Sequence, residues 1–259
     1  MKVLLLNGSP HAHGCTDTAL REIAATLAAE KIDSEIVHIE NTVHSCMDCG
    51  YCKKQSQPRC AYDGDSLNKL LARIDEFDAL IIGSPVHYAS ASGAVTAFCD
   101  RLFYAAAAHL AFKPGAAIAS ARRAGTTATL DQLNKYFTIN QMPIVSSVYW
   151  NMVHGSCPED VEKDLEGLQT MRTLGQNMAW MLKCIEAGKK AAGSILAMKA
   201  KIMEKLSDTA LSVDEIAREI NLENEKEIVF KLLIHLASNP STGVVSSGAG
   251  FDKKFIKIK

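Results

Sequence analysis

The 259-residue chain is predicted to be an α/β protein, with a doubly wound parallel sheet of five strands and a small α+β module at the C-terminus. Three observations predict this fold. Short apolar runs, typical of strands buried on both faces, alternate with longer segments whose apolar residues recur at helical spacing. Such an alternation forms a parallel sheet with helices on both faces. The alternation stops near a glycine-containing segment at 188–194 that we predict to be a hinge, so we predict domains at 1–187 and 195–259.

Each predicted strand is a short apolar run, and each predicted helix presents one apolar stripe. The strands are predicted over residues 3–6, 33–40, 79–85, 116–120 and 143–148. The helices are predicted over residues 17–30, 67–74, 92–111, 127–138 and 159–186. Ligands of such folds bind beyond the carboxyl ends of the strands, so we expect the loops 9–18, 84–88 and 121–126 to form the site.

The C-terminal module is predicted to contain three helices and a two-stranded hairpin, an arrangement that resembles a winged helix. Its middle helix has a capping-box signature, because Ser212 precedes Glu215 by three residues. The other helices are predicted over 195–206 and 223–237, and the hairpin over 243–247 and 255–258. Residues 207–259 contain seven Lys and Arg against eight Asp and Glu, whereas nucleic-acid readers carry a basic face. We therefore expect an oligomerisation or partner-docking module and no nucleic-acid partner.

Composition and charge limit the function classes. The net charge is −1, so no basic field attracts nucleic acid, and no run of 18 apolar residues predicts a membrane span. The N-terminus resembles a core strand, where a secretion signal would need a basic segment and a cleavage site. We therefore expect a cytoplasmic protein with no membrane partner, in which the eight cysteines are reduced, buried or metal-bound rather than disulfide-bonded.

The loop after the first strand is a candidate phosphate site. It places the hydroxyls of Ser9, Thr16 and Thr18 beside a helix that begins near Asp17. The first amides of a helix are unpaired and carry the positive end of its dipole, which favours an anion. The loop lacks the lysine-containing P-loop pattern and the Gly-x-Gly-x-x-Gly pattern of dinucleotide folds. A phosphate held by hydroxyls and amides without lysine suits FMN better than ATP, and the alternative interpretation is an ordinary βα turn.

Four cysteines interrupt the α/β pattern with the spacing C-x2-C-x2-C-x7-C, at Cys46, Cys49, Cys52 and Cys60. Three closely spaced thiolates and a fourth from farther along can hold a cubane iron-sulfur cluster. Four thiolates also form a closed tetrahedral zinc site, although two well-separated C-x2-C pairs are more usual for zinc. The third interpretation is a cysteine-rich loop without metal. Of the three, the spacing favours a [4Fe-4S] cluster.

Several motifs follow one another in a fixed order along residues 1–186. They are Gly8-Ser-Pro with Gly14-x-Thr16, the cysteine cluster, Ile82-Gly-Ser-Pro-Val-His-Tyr88, Phe98-Cys-Asp-Arg101, Arg122-Arg123 with Gly125, Tyr149-Trp-Asn151 and the helix 167–183. In this order and spacing they resemble the flavodoxin-like NADPH-dependent FMN reductase family, and within it the iron-sulfur flavoprotein group.

The resemblance implies a flavodoxin-like fold, FMN as cofactor, and chemistry that the flavin performs without catalytic side chains. It also implies that the loop after the first strand holds the phosphate and that the loop after the third strand lies along the isoalloxazine. The residues implied to bind FMN are Ser9, His11, Thr16, Asp17, Thr18, Pro85, Val86, His87, Tyr88, Arg122, Arg123 and Gly125. The four clustered cysteines are implied to hold a [4Fe-4S] cluster near the flavin.

The predicted function is electron transfer from a reduced nicotinamide or a ferredoxin-type donor, through FMN, to the cluster, a quinone or another acceptor. Two alternatives belong to other classes. A nonenzymatic electron carrier of the flavodoxin type would lack a donor pocket. A flavin-sensing regulator would need a DNA-reading module, which the charge of residues 207–259 disfavours. We expect a homodimer or homotetramer, with Trp150 either at a subunit interface or in the core.

Overall fold

The computed structural model describes residues 1–40, 42–239 and 242–258, and it divides into two units, Met1–Cys184 and Ile185–Lys259. The strands of the first unit are β1 (Lys2–Asn7), β2 (Asp33–His38), β3 (Ala79–His87), β4 (Ser90–Ala91), β5 (Gly115–Ala121) and β6 (Met152–His154). Five of them run parallel in the spatial order β2-β1-β3-β5-β6, and β4 pairs antiparallel with the end of β3. This order confirms the predicted doubly wound sheet.

The sheet is buried on both faces, which explains the continuous apolar runs of its strands. In β1, Leu4 and Leu6 belong to one apolar core and Val3 and Leu5 to the other, as the two-residue period of a strand requires. The helices of this unit are α1 (Cys15–Ala29), α2 (Leu67–Leu71), α3 (Gly93–Leu110), α4 (Thr126–Ile139), α5 (Pro158–Val161) and the start of α6 (Leu165–Lys205). Residues of α2, α3 and α4 pack in the core of Leu4, and residues of α1, α5 and α6 in the core of Val3.

The fifth parallel strand does not lie at 143–148, where the apolar run predicts it. In that run only Ile144 pairs with the sheet, through an isolated parallel bridge to Gly115. The Ser147 hydroxyl then donates to the Asn151 side-chain oxygen at 2.7 Å, a local bond that competes with the ladder and turns the chain away. The strand β6 follows this turn, so the prediction was wrong by about eight residues in its position.

The second unit contains a three-stranded antiparallel sheet and helices packed on it. Its elements after α6 are β7 (Leu211–Ser212), α7 (Val213–Glu219), α8 (Lys226–Ala237), β8 (Val244–Ser247) and β9 (Lys254–Lys257), with the strands in the order β7-β9-β8. The capping box is present, because Ser212 accepts the Glu215 N–H at 3.3 Å and donates its own N–H to Glu215 at 2.7 Å. Phe255 is fully buried in the core of this unit. The predicted α+β module is confirmed, with β7 as an additional strand.

The helix α6 continues through residues 188–194, which the sequence predicts as a hinge. Gly188 and Gly193 each cost a helix only about 1 kcal/mol relative to alanine, and the residues between them are good helix formers. Within residues 1–40, 42–239 and 242–258, no helix combines the length and the apolar character that crossing a membrane requires.

Candidate functional site

A cleft opens where β1, β3 and β5 end, at the edge of the sheet where this fold binds ligands. Its volume is about 580 Å³, and residues from all three predicted loops line it together with residues 155–158. The predicted flavin-site residues in its lining are Ser9, His11, Thr16, Pro85, Val86, His87 and Arg122. The predicted residues outside its lining are Asp17, Thr18, Tyr88, Arg123 and Gly125.

The loop between β1 and α1 lies against β3 and α3. Gly8 donates its backbone N–H to the Gly83 carbonyl at 2.9 Å, and a Cβ on Gly8 would overlap the Val95 side chain. Glycine therefore lets the loop pass this close to α3. The Ser9 hydroxyl accepts the backbone N–H of His11 at 3.1 Å, which tightens the loop into a turn.

The cleft meets the N-terminus of α1 at Gly14, Cys15 and Thr16. The N-cap of this 15-residue helix is Gly14, and in the described part of the chain no side chain caps it, so its first-turn amides lack a capping acceptor. Together with the helix dipole, these amides favour an anion. Burial raises the pKa of the Cys15 thiol, which keeps this cysteine uncharged at the start of the helix at neutral pH.

Ser120 is a cleft residue that the sequence analysis missed. Its hydroxyl oxygen lies 2.8 Å from that of Thr16, and both side chains are buried in the cleft lining. Two hydroxyls at this distance share one hydrogen, so the other hydrogen remains available to a ligand. The sequence feature that could have identified Ser120 is its position at the carboxyl end of a predicted parallel strand.

Asp17 and Thr18, which are predicted in the flavin site, bond within α1 and the residues just before it. The Asp17 carboxylate accepts a hydrogen bond from Arg21 Nε at 2.7 Å and lies 3.4 Å from His13 Nδ1. Thr18 donates its hydroxyl to the Gly14 carbonyl at 3.3 Å. Successive helical residues are turned by about 100° around the axis, so Thr16, Asp17 and Thr18 cannot all face one ligand.

A strained hairpin forms another wall of the cleft. The turn between β3 and β4 is Tyr88-Ala89, and both residues have positive φ, 51° and 58°, as a type I′ turn requires. Such backbone costs non-glycine residues on the order of 1–3 kcal/mol each, so neighbouring structure must hold it. Gly125, with φ of 90°, lies so close that its Cβ would come within 2.8 Å of Ala89 Cα. Gly125 therefore supports the hairpin, which lines the cleft through Val86 and His87.

The adjacent arginines after β5 have different environments. Arg122 is exposed and lines the cleft. Arg123 lies outside the lining, and its carbonyl accepts a hydrogen bond from His154 Nε2 at 3.1 Å. The backbone N–H of His154, the last residue of β6, donates to Asp164 at 2.7 Å. The backbone of Arg123 is therefore attached to the end of β6. Of the two, Arg122 is the cation placed to meet a ligand.

The four predicted metal-ligating cysteines line one small cavity of about 20 Å³. They are Cys46, Cys49, Cys52 and Cys60, all free thiols, and burial raises the pKa of Cys52. In the part of the chain that the structure describes, no group of three or more His, Cys, Asp or Glu side chains is placed to hold a metal ion. Four thiols that line one cavity are the kind of donor that an iron-sulfur cluster takes, and the first two lie on residues 42–50, which form neither helix nor strand.

Three residues without an assigned role in the sequence analysis hold Cys60, two of them directly and the third through Arg101. Arg101 Nε donates to Cys60 Sγ at 3.2 Å, and Asn68 accepts the Cys60 N–H at 2.8 Å. Asp65 forms an ion pair with Arg101 in the interior. The sequence feature that could have identified Arg101 is its position three residues after Phe98, which places a basic residue on the buried face of the helix.

The strand order and the ligand cleft at the carboxyl edge define a flavodoxin-like protein. The chain belongs to the NADPH-dependent FMN reductase family, whose sequence model matches residues 1–156. It is a flavin-dependent oxidoreductase, as the sequence analysis predicts.

One curated relative and one solved structure are similar to this chain over most of its length. An iron-sulfur flavoprotein of Methanocaldococcus jannaschii is 30% identical over 195 residues, which are 72% of this chain and 100% of that protein. The structure of RosB with a bound 8-demethyl-8-formylriboflavin-5′-phosphate intermediate shares the fold, with a TM-score of 0.55 and 14% identity over 75% of this chain and 87% of that chain. A shorter match, 46% identity over 69 residues, covers 26% of this chain and 13% of glucose-6-phosphate isomerase from Desulfitobacterium hafniense.

Proposed function

We propose that the protein binds FMN in the cleft and transfers electrons from a reduced nicotinamide to a [4Fe-4S] cluster held by the four clustered cysteines. The observation that carries the proposal is that an uncapped helix N-terminus, paired hydroxyls and the β3–β4 hairpin line one cleft. FMN supplies the chemistry when bound, because it accepts a hydride and can pass electrons onward. The side chains of the protein bind it, orient it and set its electrostatic surroundings.

The phosphate of FMN is proposed to bind at the N-terminus of α1. Ser9 and the Thr16–Ser120 pair supply hydroxyls there, and the first-turn amides supply further donors. Among the residues that the structure describes no lysine lines the cleft, so positive potential comes from the helix dipole and from Arg122. Asp17, although close in sequence, forms an ion pair with Arg21, so its charge is compensated and repels the phosphate little.

The isoalloxazine is proposed to lie along the β3–β4 hairpin. Pro85, Val86 and His87 line the cleft, and the fully exposed Tyr88 follows them on the turn. Arg122 places a fixed charge on the same cleft, which suits the electron-rich pyrimidine edge of a reduced flavin.

The cysteines are proposed to hold the cluster, one thiolate for each iron, where it carries single electrons. Three observations support this role: the C-x2-C-x2-C-x7-C spacing, the common cavity, and the similarity to an iron-sulfur flavoprotein over that protein's whole length. A cation near the cavity offsets part of the negative charge of such a cluster. Lys53 Nζ lies 4.0 Å from the ring centroid of Tyr104, which lines the cavity.

A second copy of the chain is proposed to pack near the cleft. Tyr149 and Trp150 form an edge-to-face pair with ring centroids 4.8 Å apart, and both rings are more than half exposed together with Val148. Exposed apolar side chains grouped in this way mark a protein interface more often than a solvated surface. The proposed assembly is a homodimer or homotetramer.

The experiment that tests the function uses protein purified without oxygen. Its visible spectrum should show two flavin bands and a broad shoulder that dithionite removes, with iron and sulfide present in equal amounts. Rapid mixing with NADPH and with NADH should bleach the flavin within seconds for at least one of them. Bound flavin that neither nicotinamide reduces would instead identify an electron carrier, and flavin without iron would leave a plain FMN reductase.

A further inference from the structure

Arg101 connects the two ends of the cysteine loop, which we define as residues 44–62. Its side chain lies on the buried face of α3 and is only 1% exposed. Nη1 donates to the His44 carbonyl at 3.2 Å, and Nη2 donates to the Tyr62 carbonyl at 3.1 Å. His44 precedes the first cysteine by two residues and Tyr62 follows the last by two. One side chain therefore closes the loop that carries all four thiols.

The charge of Arg101 is compensated by Asp65, which is equally buried. Asp65 Oδ2 pairs with Nη1, and Oδ1 accepts a hydrogen bond from Nη2 at 3.2 Å, so the contact is bidentate. The ring centroid of Tyr62 lies 5.0 Å from Cζ and adds a cation–π contact. A buried pair held in this way keeps one geometry, because breaking it leaves an unpaired charge in the interior.

The fifth N–H of the guanidinium points at a sulfur atom. Arg101 Nε donates to Cys60 Sγ at 3.2 Å, so all five N–H donors of the side chain have a partner. Asn68 fixes the backbone of the same cysteine, accepting its N–H at 2.8 Å and donating to its carbonyl at 3.0 Å. Cys46 and Cys49, by contrast, are exposed on a segment without helix or strand. The fold therefore fixes Cys60 before any metal is bound.

We propose that Arg101 is a positioning residue for the cluster, which presets Cys60 as its first ligand and, through the Nε–H, raises the reduction potential of the cluster. This inference rests on the proposed function, because it assumes a [4Fe-4S] cluster on the four cysteines. Hydrogen bonds to the sulfur atoms are among the factors that set cluster potentials. A hydrogen-bond donor beside one thiolate favours the reduced cluster, because the reduced cluster carries one more negative charge and its sulfur atoms accept hydrogen bonds more strongly.

The test compares parent protein with Arg101→Lys, both reconstituted with iron and sulfide without oxygen. Lysine keeps a positive charge for Asp65, but its ammonium cannot replace the planar fork that reaches His44, Tyr62 and Cys60 together. The matched control is Arg73→Lys, because Arg73 forms exposed ion pairs and lines neither cavity. Iron, sulfide and FMN are counted per chain. Electron paramagnetic resonance gives the reduced-to-oxidised ratio of the cluster at a fixed potential.

Arg101→Lys should keep its FMN and show a reduced-to-oxidised ratio about tenfold below the parent at the same potential, equivalent to about 59 mV for one electron. Arg73→Lys should match the parent. An unchanged ratio with parental iron in Arg101→Lys overturns the inference and leaves the proposed function intact. Parent protein that binds no iron overturns the cluster assignment, and the inference with it.

Loss of flavin from Arg101→Lys would indicate a disturbed fold, and a second variant then tests the role of Arg101. The double variant Arg101→Gln with Asp65→Asn removes both buried charges together, so that neither is left unpaired. A ratio at least tenfold below the parent supports the inference, and a parental ratio overturns it.

Discussion

Thr16 on α1 and Ser120 at the end of β5 lie with their hydroxyl oxygens 2.8 Å apart, although 104 positions separate them in the chain. The contact joins the first turn of a helix to the carboxyl end of a strand within the lining of the cleft. It also holds one hydroxyl hydrogen between the two oxygens and leaves the other for a ligand. We therefore propose that the two residues act together in binding the phosphate of FMN.

Replacing Thr16 by valine should weaken FMN binding by about 1–2 kcal/mol, because it removes one hydroxyl and leaves Ser120 without its partner. This corresponds to roughly a 5- to 30-fold higher dissociation constant, measured by quenching of FMN fluorescence. Thr18→Val is the matched control and should bind FMN like the parent, since Thr18 lies outside the lining. A parental dissociation constant for Thr16→Val would place the phosphate elsewhere.

Replacing Gly125 by alanine should destabilise the FMN-bound protein by more than about 1 kcal/mol. Alanine is strained at φ of 90°, and its methyl group would press on Ala89 in the hairpin turn. The measurement is the urea concentration at which bound FMN is released. Gly93→Ala is the control, because a Cβ there meets no atom within 4 Å and should leave or slightly raise the midpoint. Equal midpoints for the two variants would show that Gly125 does not support the hairpin.

Replacing Cys60 by serine should remove most iron and sulfide from anaerobically reconstituted protein, since each thiolate of a cubane holds one iron. The FMN content should stay parental, because different residues line the cleft and the cysteine cavity. Cys184→Ser provides the control, as Cys184 is an exposed free thiol outside the cluster sequence. Iron retained equally by both variants would argue against the four-cysteine site.

Glu35 should give the protein a pH-dependent stability. Hydrogen bonds from Arg73 at 2.8 and 2.9 Å and from Lys2 at 2.6 Å lower the pKa of Glu35 from its ordinary value of 4.5 to about 2. A pKa lowered in the folded state stabilises the protein above pH 4.5, and this contribution is lost as the pH falls towards 2.

The corresponding variant is Glu35→Gln, followed by thermal unfolding between pH 7 and pH 2. Its unfolding temperature should lie below that of the parent at pH 7, and the difference should shrink below pH 4.5. Glu30→Gln, which removes a single exposed ion pair to Lys183, should have a smaller effect. A difference that stays constant across this range would mean that the charge of Glu35 is not what stabilises the fold.

Local pattern was sufficient to predict most of the fold. The apolar runs of β1 and β3 and the capping box at Ser212 depend on residues close in sequence, and the structure has them where they were predicted. The fifth strand was misplaced because residues 144–148 are apolar enough for a strand, while the hydroxyl of Ser147 forms a local turn instead. A hydrogen bond between side chains four residues apart leaves no trace in hydropathy.

The residues of the site that could not be predicted depend on distant contacts. Ser120 contributes to the cleft through its contact with Thr16. Arg101 is held by the carbonyl of His44, 57 positions away, and by the carbonyl of Tyr62, 39 positions away. A motif contained Arg101, but nothing in the motif indicated which atoms its guanidinium would meet. Asp17 was predicted in the cleft because of its position in the first turn, whereas the direction of its side chain follows from its pairing with Arg21.

The two apolar cores on either side of β1 have a consequence for folding fidelity. Because Val3, Leu4, Leu5 and Leu6 are all large and apolar, sliding the strand by one residue would exchange the faces without exposing any of them to water. Hydrophobicity therefore cannot select the correct alignment of this strand. Polar contacts at the two ends of the strand select the alignment instead. At the first end, the Lys2 N–H donates to Asp78 at 2.9 Å. At the other end, the Asn7 side chain donates to the Ala12 carbonyl at 3.0 Å and accepts the Ser9 N–H at 3.1 Å. We therefore expect substitution of Asp78 or Asn7, whose side chains make these contacts, to yield misaligned chains even where the interior is untouched.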